Sequence, residues 1–223
     1  MSENFTTDDF IYQLRTSKDR DERLYAAFKI GRDKQHPHVI TALVAASTDP
    51  EYEVRARVAE ALGTREALTA MPTLLTLLTD KKPVVRRTAA DSLGNLGSAD
   101  AVPALCNTIK DDDVTVRSHS AEALGMIASD NAVEPLVDAF LHDDDSNVRY
   151  FARQSLGQVG HAAVEALLKA LQATDEAPLL IEICEILGNL ADERTRDALT
   201  DLTAHNDKDV SEMAQWALKR IQS

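Results

Sequence analysis

Six histidines, two cysteines and two runs of three aspartates are the residues of this chain whose types could do chemistry. None of His36, His38, His119, His142, His161 and His205 stands in a His-Glu-x-x-His pattern, and no Cys-x-x-Cys occurs, so the spacings of zinc sites are absent. His36-Pro37-His38 presents two imidazoles with no third ligand nearby and reads as a solvated loop. The aspartates 111–113 and 143–145 offer oxygen ligands, and Asp143-x-Asp145-x-Asn147 matches the first half of a calcium loop. Val148, however, stands where that loop needs its turn glycine, and Gln154 replaces the closing glutamate. The triplets therefore read as the end of one helix and the cap of the next. Ser118, Ser120 and Ser155 fall inside helices and lack the strand, elbow and helix of a hydrolase nucleophile. Cys106 and Cys184 fall on apolar helix faces and read as inert core thiols. The chain thus offers no catalytic constellation, no metal site and no cofactor site.

The elements that position these residues repeat. Leu-Gly or Ile-Gly recurs at Gly31, Gly63, Gly94, Gly125, Gly157 and Gly188, with spacings of 31 or 32. Nine residues before four of these glycines stands Val-Arg: Val54-Arg55, Val85-Arg86, Val116-Arg117 and Val148-Arg149. The same offset gives Glu22-Arg23 in a degenerate first copy, Leu179-Leu180 in the sixth and Val210-Ser211 in the last. Each copy reads as two helices, A then B. Val85, Ala89, Leu93 and Leu96 form the apolar stripe of one B helix, and Val102, Leu105, Cys106 and Ile109 that of an A helix. All seven prolines fall at or near a helix start, where a missing N–H costs nothing, and the eight glycines fall near B-helix ends. The glycines either terminate helices or let them approach closely, and the sequence leaves both open. No segment alternates with the period of a strand. Seven copies of about 31 residues fill 1–223 as a single array, with an N-terminal cap over about 1–31, opened by Thr7-Asp8-Asp9, and a C-terminal cap over about 193–223.

Hydrophobic residues make up 44% of the chain but aromatics only 4%, so the core must be built from Ala, Leu, Val and Ile. The net charge of −13 makes the chain a poor binder of nucleic acid or anionic lipid. No stretch reaches the roughly 18 apolar residues of a membrane helix, and the first nine residues lack the regions of a signal peptide. Two cysteines are too few for a disulfide framework, which points to the reducing cytoplasm.

With this period, and with the string Asp-x5-Arg…Ala-Ala-x-x-Leu-Gly, the chain resembles the short HEAT-like repeats, the class labelled phycobilisome-lyase HEAT-like. The best copies are Asp80–Gly97 and Asp111–Ala128. The resemblance implies an all-α fold, a right-handed α-solenoid of about seven helix pairs. It also implies that the pairs Asp49/Arg55, Asp80/Arg86, Asp111/Arg117 and Asp143/Arg149 form a structural ladder, with Asp capping helix B and Arg reaching a neighbouring copy's Asp. The ladder lapses at Leu180 and Ser211. HEAT-like iron hydroxylases are recognised by His-Glu dyads, and no His-Glu pair occurs here. HEAT-like DNA glycosylases need a basic face, against which the charge argues.

Taking the Val of Val-Arg as zero, the core uses positions 0, +4, +5, +8 and +11. Positions −2, −1, +2, +3, +6 and +10 form a second stripe, about a fifth of the chain, and the resemblance places it on the concave side. Six of the ten aromatics fall there: Tyr25, Phe28, Tyr52, Tyr150, Phe151 and Trp216. Aromatics give large contact area for little entropy, which suits a recognition surface. Tyr25, Phe28 and Trp216 belong to end copies and either bind or cover the array's open ends. Tyr150 and Phe151 lie in an interior copy and lead the candidates, with Met126, His119, Gln154 and Gln158 beside them. Arg87, Asp91, Tyr52, Arg57, Glu122, Ile181, Glu185, Met213 and Trp216 complete the expected groove.

These features point to a non-catalytic scaffold or adaptor that binds a partner protein or peptide, without nucleic acid or membrane. The alternative, implied by the class, is a bilin lyase or chaperone-type subunit of phycobiliprotein maturation or turnover. An aromatic groove could hold a linear tetrapyrrole, with His119 or an arginine on its propionates. A third reading is a purely structural linker.

Overall fold

The computed structural model describes residues 5–33, 35–63 and 68–221. The first four residues of the stretch tested for a signal peptide, and the last two of the C-terminal cap, lie outside them. The helices gather into two compact units, Met1–Ala123 and Leu124–Ser223.

The first unit runs as A/B pairs: α1 (Thr7–Thr16) with α2 (Arg20–Gly31), α3 (Val39–Ala46) with α4 (Tyr52–Gly63), and α5 (Met71–Leu77) with α6 (Pro83–Leu96). It then enters α7 (Val102–Thr108) and α8 (Val114–Ile127). The second unit holds α9 (Val133–His142) with α10 (Ser146–Val159), α11 (Val164–Ala173) with α12 (Ala177–Leu190), and α13 (Arg196–Leu202) with α14 (Lys208–Ile221). Among the described residues there is no strand, and the architecture is that of an all-α helix-pair solenoid. Such pairs cannot bury their stripes alone and must stack.

Several B helices start at aspartate side-chain caps, whereas α6 and α12 start without one. Asp19 accepts from the backbone of Asp21 and Glu22 (2.7 and 3.2 Å) and Asp113 from Thr115 and Val116 (2.9 and 3.2 Å). Asp145 caps α10 through Asn147 N–H (2.8 Å). The ladder aspartates stand one step upstream of the caps: Asp49 and Asp80 close the preceding turn by accepting from Glu51 and Lys82 (both 2.9 Å). This amends the expectation that the ladder Asp itself caps helix B. At the N-terminus the cap is Thr6, in a reciprocal box with Asp9, while the Thr7 hydroxyl donates to Asp33.

The ladder repeats one geometry. Arg23 Nε and Nη2 donate to Asp49 (2.7 and 2.9 Å), Arg55 to Asp80 (2.6 and 2.8 Å) and Arg86 to Asp111 (2.8 and 2.6 Å). Nη1 turns the other way, to a carbonyl six residues earlier: Ser17 (3.2 Å), Asp49 (2.8 Å) and Asp80 (2.8 Å) respectively. Each fork thus ties a B helix to its own preceding turn and to the next copy, and the first copy joins the ladder despite its degenerate Glu22.

Core positions 0, +4, +5 and +8 are buried in copy after copy, as in Val54, Val58, Ala59 and Leu62. Position +11, exemplified by Leu96 and Leu190, is only half-buried. Two further positions are buried, +7 and +9, where a small residue of one B helix meets the repeat glycine of the copy before. A Cβ at Gly63 would fall 2.4 Å from Ser92 Cβ and 2.6 Å from its Cα; one at Gly31 would fall 2.7 Å from Ala61 Cβ. The Ser92 hydroxyl, fully enclosed there, donates to Ala59 C=O at 2.9 Å. Gly97 and Gly160 serve the other purpose, with φ of 66° and 80° at helix ends.

Gly157 breaks the rule: nothing lies within 4 Å of where its Cβ would be. Gly63→Ala should therefore cost about 1–3 kcal/mol by overpacking against backbone, whereas Gly157→Ala should gain about 0.5–1 kcal/mol from helix propensity. Urea unfolding of the two variants checks the contrast.

Candidate functional site

In the second unit, α10 and α12 bound a cleft of about 440 Å³. Tyr150, Arg149 and Arg153 line it from α10, Leu179, Glu182 and Glu185 from α12, and Phe140 from α9. Tyr150 is 54% exposed and its ring meets Phe151 edge to face, centroids 5.4 Å apart at 78°. Phe151 is half-buried, and Gln154 and Gln158 on the following turns are exposed. The 3.6-residue period of α10 puts Val148, Ala152, Ser155 and Leu156 inward and leaves Tyr150, Gln154 and Gln158 outward. Arg153 donates to Glu185 and approaches Glu182 at 3.6 Å, and its buried Nε has no hydrogen-bond acceptor.

The other expected residues of this unit are spread along it. Met126 is 48% exposed, while Ile181 and Met213 are half-buried. Gln158 rests on Gly125, where a Cβ would meet its side-chain oxygen at 2.5 Å. Trp216, 37% exposed, lies across Gly188 and carries the Arg220 guanidinium 5.4 Å from its ring centre, so it is engaged in local packing at the C-terminal copy.

In the first unit the stripe is more polar. His119 Nδ1 lies 2.7 Å from Asp91 Oδ1. The hydrogen bond to Asp91 raises the His119 pKa above its ordinary 6.5; partial burial and the Arg87 charge oppose it, and the Asp91 and Glu122 charges assist. Since the folded pKa is the raised one, the pair stabilises the fold fully below about pH 6.5 and loses that contribution as pH rises through the folded value. Asp91→Asn should remove this pH dependence, so that the wild-type advantage in melting temperature is larger at pH 5.5 than at pH 8.5. Arg87 Nε, close by, is buried without an acceptor.

Tyr52, 36% exposed, carries the Lys82 ammonium at 5.4 Å, and Arg57 pairs with Glu60 at 2.6 Å. Arg57 and Arg32 clamp the Phe28 ring at 5.5 and 5.2 Å beside a small cleft of about 150 Å³. Tyr25 packs edge-on to Phe10, centroids 5.8 Å apart. The stripe is therefore divided between the units: Tyr25, Phe28, Tyr52, Arg57, Arg87, Asp91, His119 and Glu122 in one, and Met126, Tyr150, Phe151, Gln154, Gln158, Ile181, Glu185, Met213 and Trp216 in the other.

Burial pushes the Cys106 thiol up and takes that of Cys184 to about 11, so neither is a ready nucleophile. Among the described residues no three or more His, Cys, Asp or Glu side chains are grouped as metal ligands, and no helix is long and apolar enough to cross a membrane.

Sequence reading missed Arg149, Arg153, Phe140 and Leu179 as parts of one cleft. A signal existed: the position five before the register zero is Asp49, Asp80, Asp111 and Asp143 in successive copies, then Thr174.

Comparison with known proteins agrees with this architecture. A solved structure of the complex of CpcE and CpcF of phycocyanin lyase from Nostoc sp. PCC7120 is 25% identical, aligning 98% of this chain with 97% of that one at a TM-score of 0.62. The E. coli protein YibA is 21% identical over 97% of this chain and 81% of its own, with a TM-score of 0.65. Human deoxyhypusine hydroxylase, solved with glycerol, is 21% identical over 97% of this chain and 96% of its own, with a TM-score of 0.51. The last two are likenesses of fold. Comparison with curated proteins gave no significant match. The family model for HEAT repeats matches residues 7–81, 71–157 and 133–219, so with its ladder, its paired helices and its repeat glycines the chain belongs to the HEAT-repeat family.

Proposed function

We propose that this HEAT-repeat protein is a non-catalytic adaptor that binds a partner protein or peptide on its B-helix stripe, centred on the α10 face. The observation that carries the reading is the Tyr150–Phe151 pair. Two aromatic rings meet edge to face in an interior copy, one of them more than half exposed, beside an open cleft. Exposed aromatics at the edge of a cleft are the usual anchors of a protein contact. The similar structure in Nostoc is itself a complex of two named chains, CpcE and CpcF, which supports a protein partner. The net charge of −13 goes against nucleic acid and anionic membranes, and the two unpaired thiols go with a cytoplasmic location. The test is quantitative capture of native partners by wild type and by a Tyr150→Ala/Phe151→Ala variant: specific loss from the variant supports the reading, and equal recovery sinks it.

The same likeness favours a second reading, a bilin lyase or chaperone-type subunit. On that reading, adding phycocyanobilin to the purified protein shifts and sharpens its visible absorption. An unshifted spectrum counts against it.

A further inference from the structure

We propose that Arg149 is a carboxylate receptor, and that the partner segment docked on α10 places an aspartate or glutamate side chain on its guanidinium fork. The ladder defines what such a fork does. In Arg23, Arg55 and Arg86, Nη1 is held by an internal carbonyl while Nε and Nη2 grip the next copy's aspartate. Arg149 keeps the first half of this arrangement: Nη1 donates to Asp143 C=O at 2.7 Å. Its Nε and Nη2 have no protein acceptor among the described residues, because the position that should supply the carboxylate is Thr174. Thr174 retains only the turn-closing half of the aspartate's work, accepting from Glu176 N–H at 3.1 Å as Asp49 accepts from Glu51.

The fork is therefore oriented by an internal bond and faces the α10/α12 cleft, which Arg149 lines. Other charges in the cleft do not compete for it. Arg153 engages both Glu185 and Glu182, leaving Arg149 as the cation of this cleft without a carboxylate. An oriented guanidinium matches a carboxylate bidentately and binds it better than a mobile lysine would. Phe140 and Leu179 give the same cleft an apolar wall for the chain that carries the acid. The occupant is thus an acidic peptide segment rather than a bare apolar one. This inference rests on the adaptor reading for the identity of its occupant and adds the chemistry by which that occupant is recognised.

The experiment is an NMR titration of the arginine Nε–H signals of the full chain, with the Arg149 signal assigned by its loss in Arg149→Lys. The probes are N-acetyl-L-aspartate amide, N-acetyl-L-asparagine amide and inorganic phosphate. The expected result is a saturable downfield shift of Arg149 with the aspartate probe, reached at a concentration at least tenfold lower than for exposed Arg15, and none with the asparagine probe. In Thr174→Asp, where the ladder acid is restored, the Arg149 signal should lie downfield without any probe and respond to none. A response no stronger than that of Arg15 overturns the proposal, and so does saturation by phosphate below the concentration needed for aspartate, which would assign the fork to phosphate. If Thr174→Asp does not fold, the wild-type comparison of Arg149 with Arg15 still decides. Because the titration reads one side chain with small probes, its failure leaves the aromatic-face reading standing. Failure of the capture experiment, in turn, leaves the titration result standing.

Discussion

Asp80→Ala should destabilise the first unit by about 3–5 kcal/mol, the loss seen when one member of an enclosed ion pair is removed. The Arg55 and Asp80 side chains are only 15% and 9% exposed, so Nε and Nη2 of the remaining guanidinium would lose their carboxylate acceptors without gaining free access to water. The Lys82 N–H would lose its acceptor in the same step. Replacing both partners by apolar residues, Arg55→Met with Asp80→Leu, should recover much of the loss, because no lone charge is then left in the layer. Acid should act on the same contact. Burial pushes the Asp80 carboxyl up, but the hydrogen bonds from Arg55 and Lys82, with the charges of Arg55 and Arg86, outweigh burial and hold it below 3.8. A depressed carboxyl contributes stability above its unfolded pKa and loses it as pH falls through the folded one. Wild type should therefore lose its advantage over Asp80→Asn only below about pH 3.8. Urea unfolding followed by circular dichroism across that range measures both effects.

The second large effect concerns binding. Tyr150→Ala and Phe151→Ala should each weaken the partner complex by about 1–3 kcal/mol, roughly 5- to 150-fold in Kd. Their costs to the fold should differ. Tyr150 is 54% exposed and its removal should leave stability within about 0.5 kcal/mol. Phe151 is half-buried, so its removal gives up more buried apolar area and should cost about 1 kcal/mol more. Binding measured beside unfolding separates the two: a surface anchor loses affinity at constant stability, whereas a packing residue loses both together.

Much of this was legible in the sequence because the repeat supplies a phase. Once Val54, Val85, Val116 and Val148 are aligned, the helix period fixes which residues face inward, and the exposure of Tyr150 follows from its place two after Val148. The ladder was legible for the same reason, since Asp49, Asp80 and Asp111 recur at a constant distance from their arginines. A phase does not say how far apart neighbouring helices lie. Gly63 and Gly157 occupy the same register position, yet a Cβ would collide with Ser92 at the first and meet nothing at the second. The burial of positions +7 and +9 was missed because it belongs to contacts between copies, not to the stripe of one helix. The change from aspartate to Thr174 is a departure from the repeat at one residue, and the sequence reading registered only the lapse at Leu180 and Ser211. Its consequence, an arginine fork without its acid, depends on the three intact ladder contacts that define what the fork should hold.

On the proposed reading the α10 face binds a partner and does not merely cover a core. The direct measurement is quantitative mass spectrometry of proteins recovered on wild type and on the Tyr150→Ala/Phe151→Ala variant, with both melting curves recorded. A partner should be retained by wild type and depleted at least tenfold on the variant, while the variant still unfolds cooperatively well above the capture temperature. Equal recovery of every protein by two folded baits would contradict it.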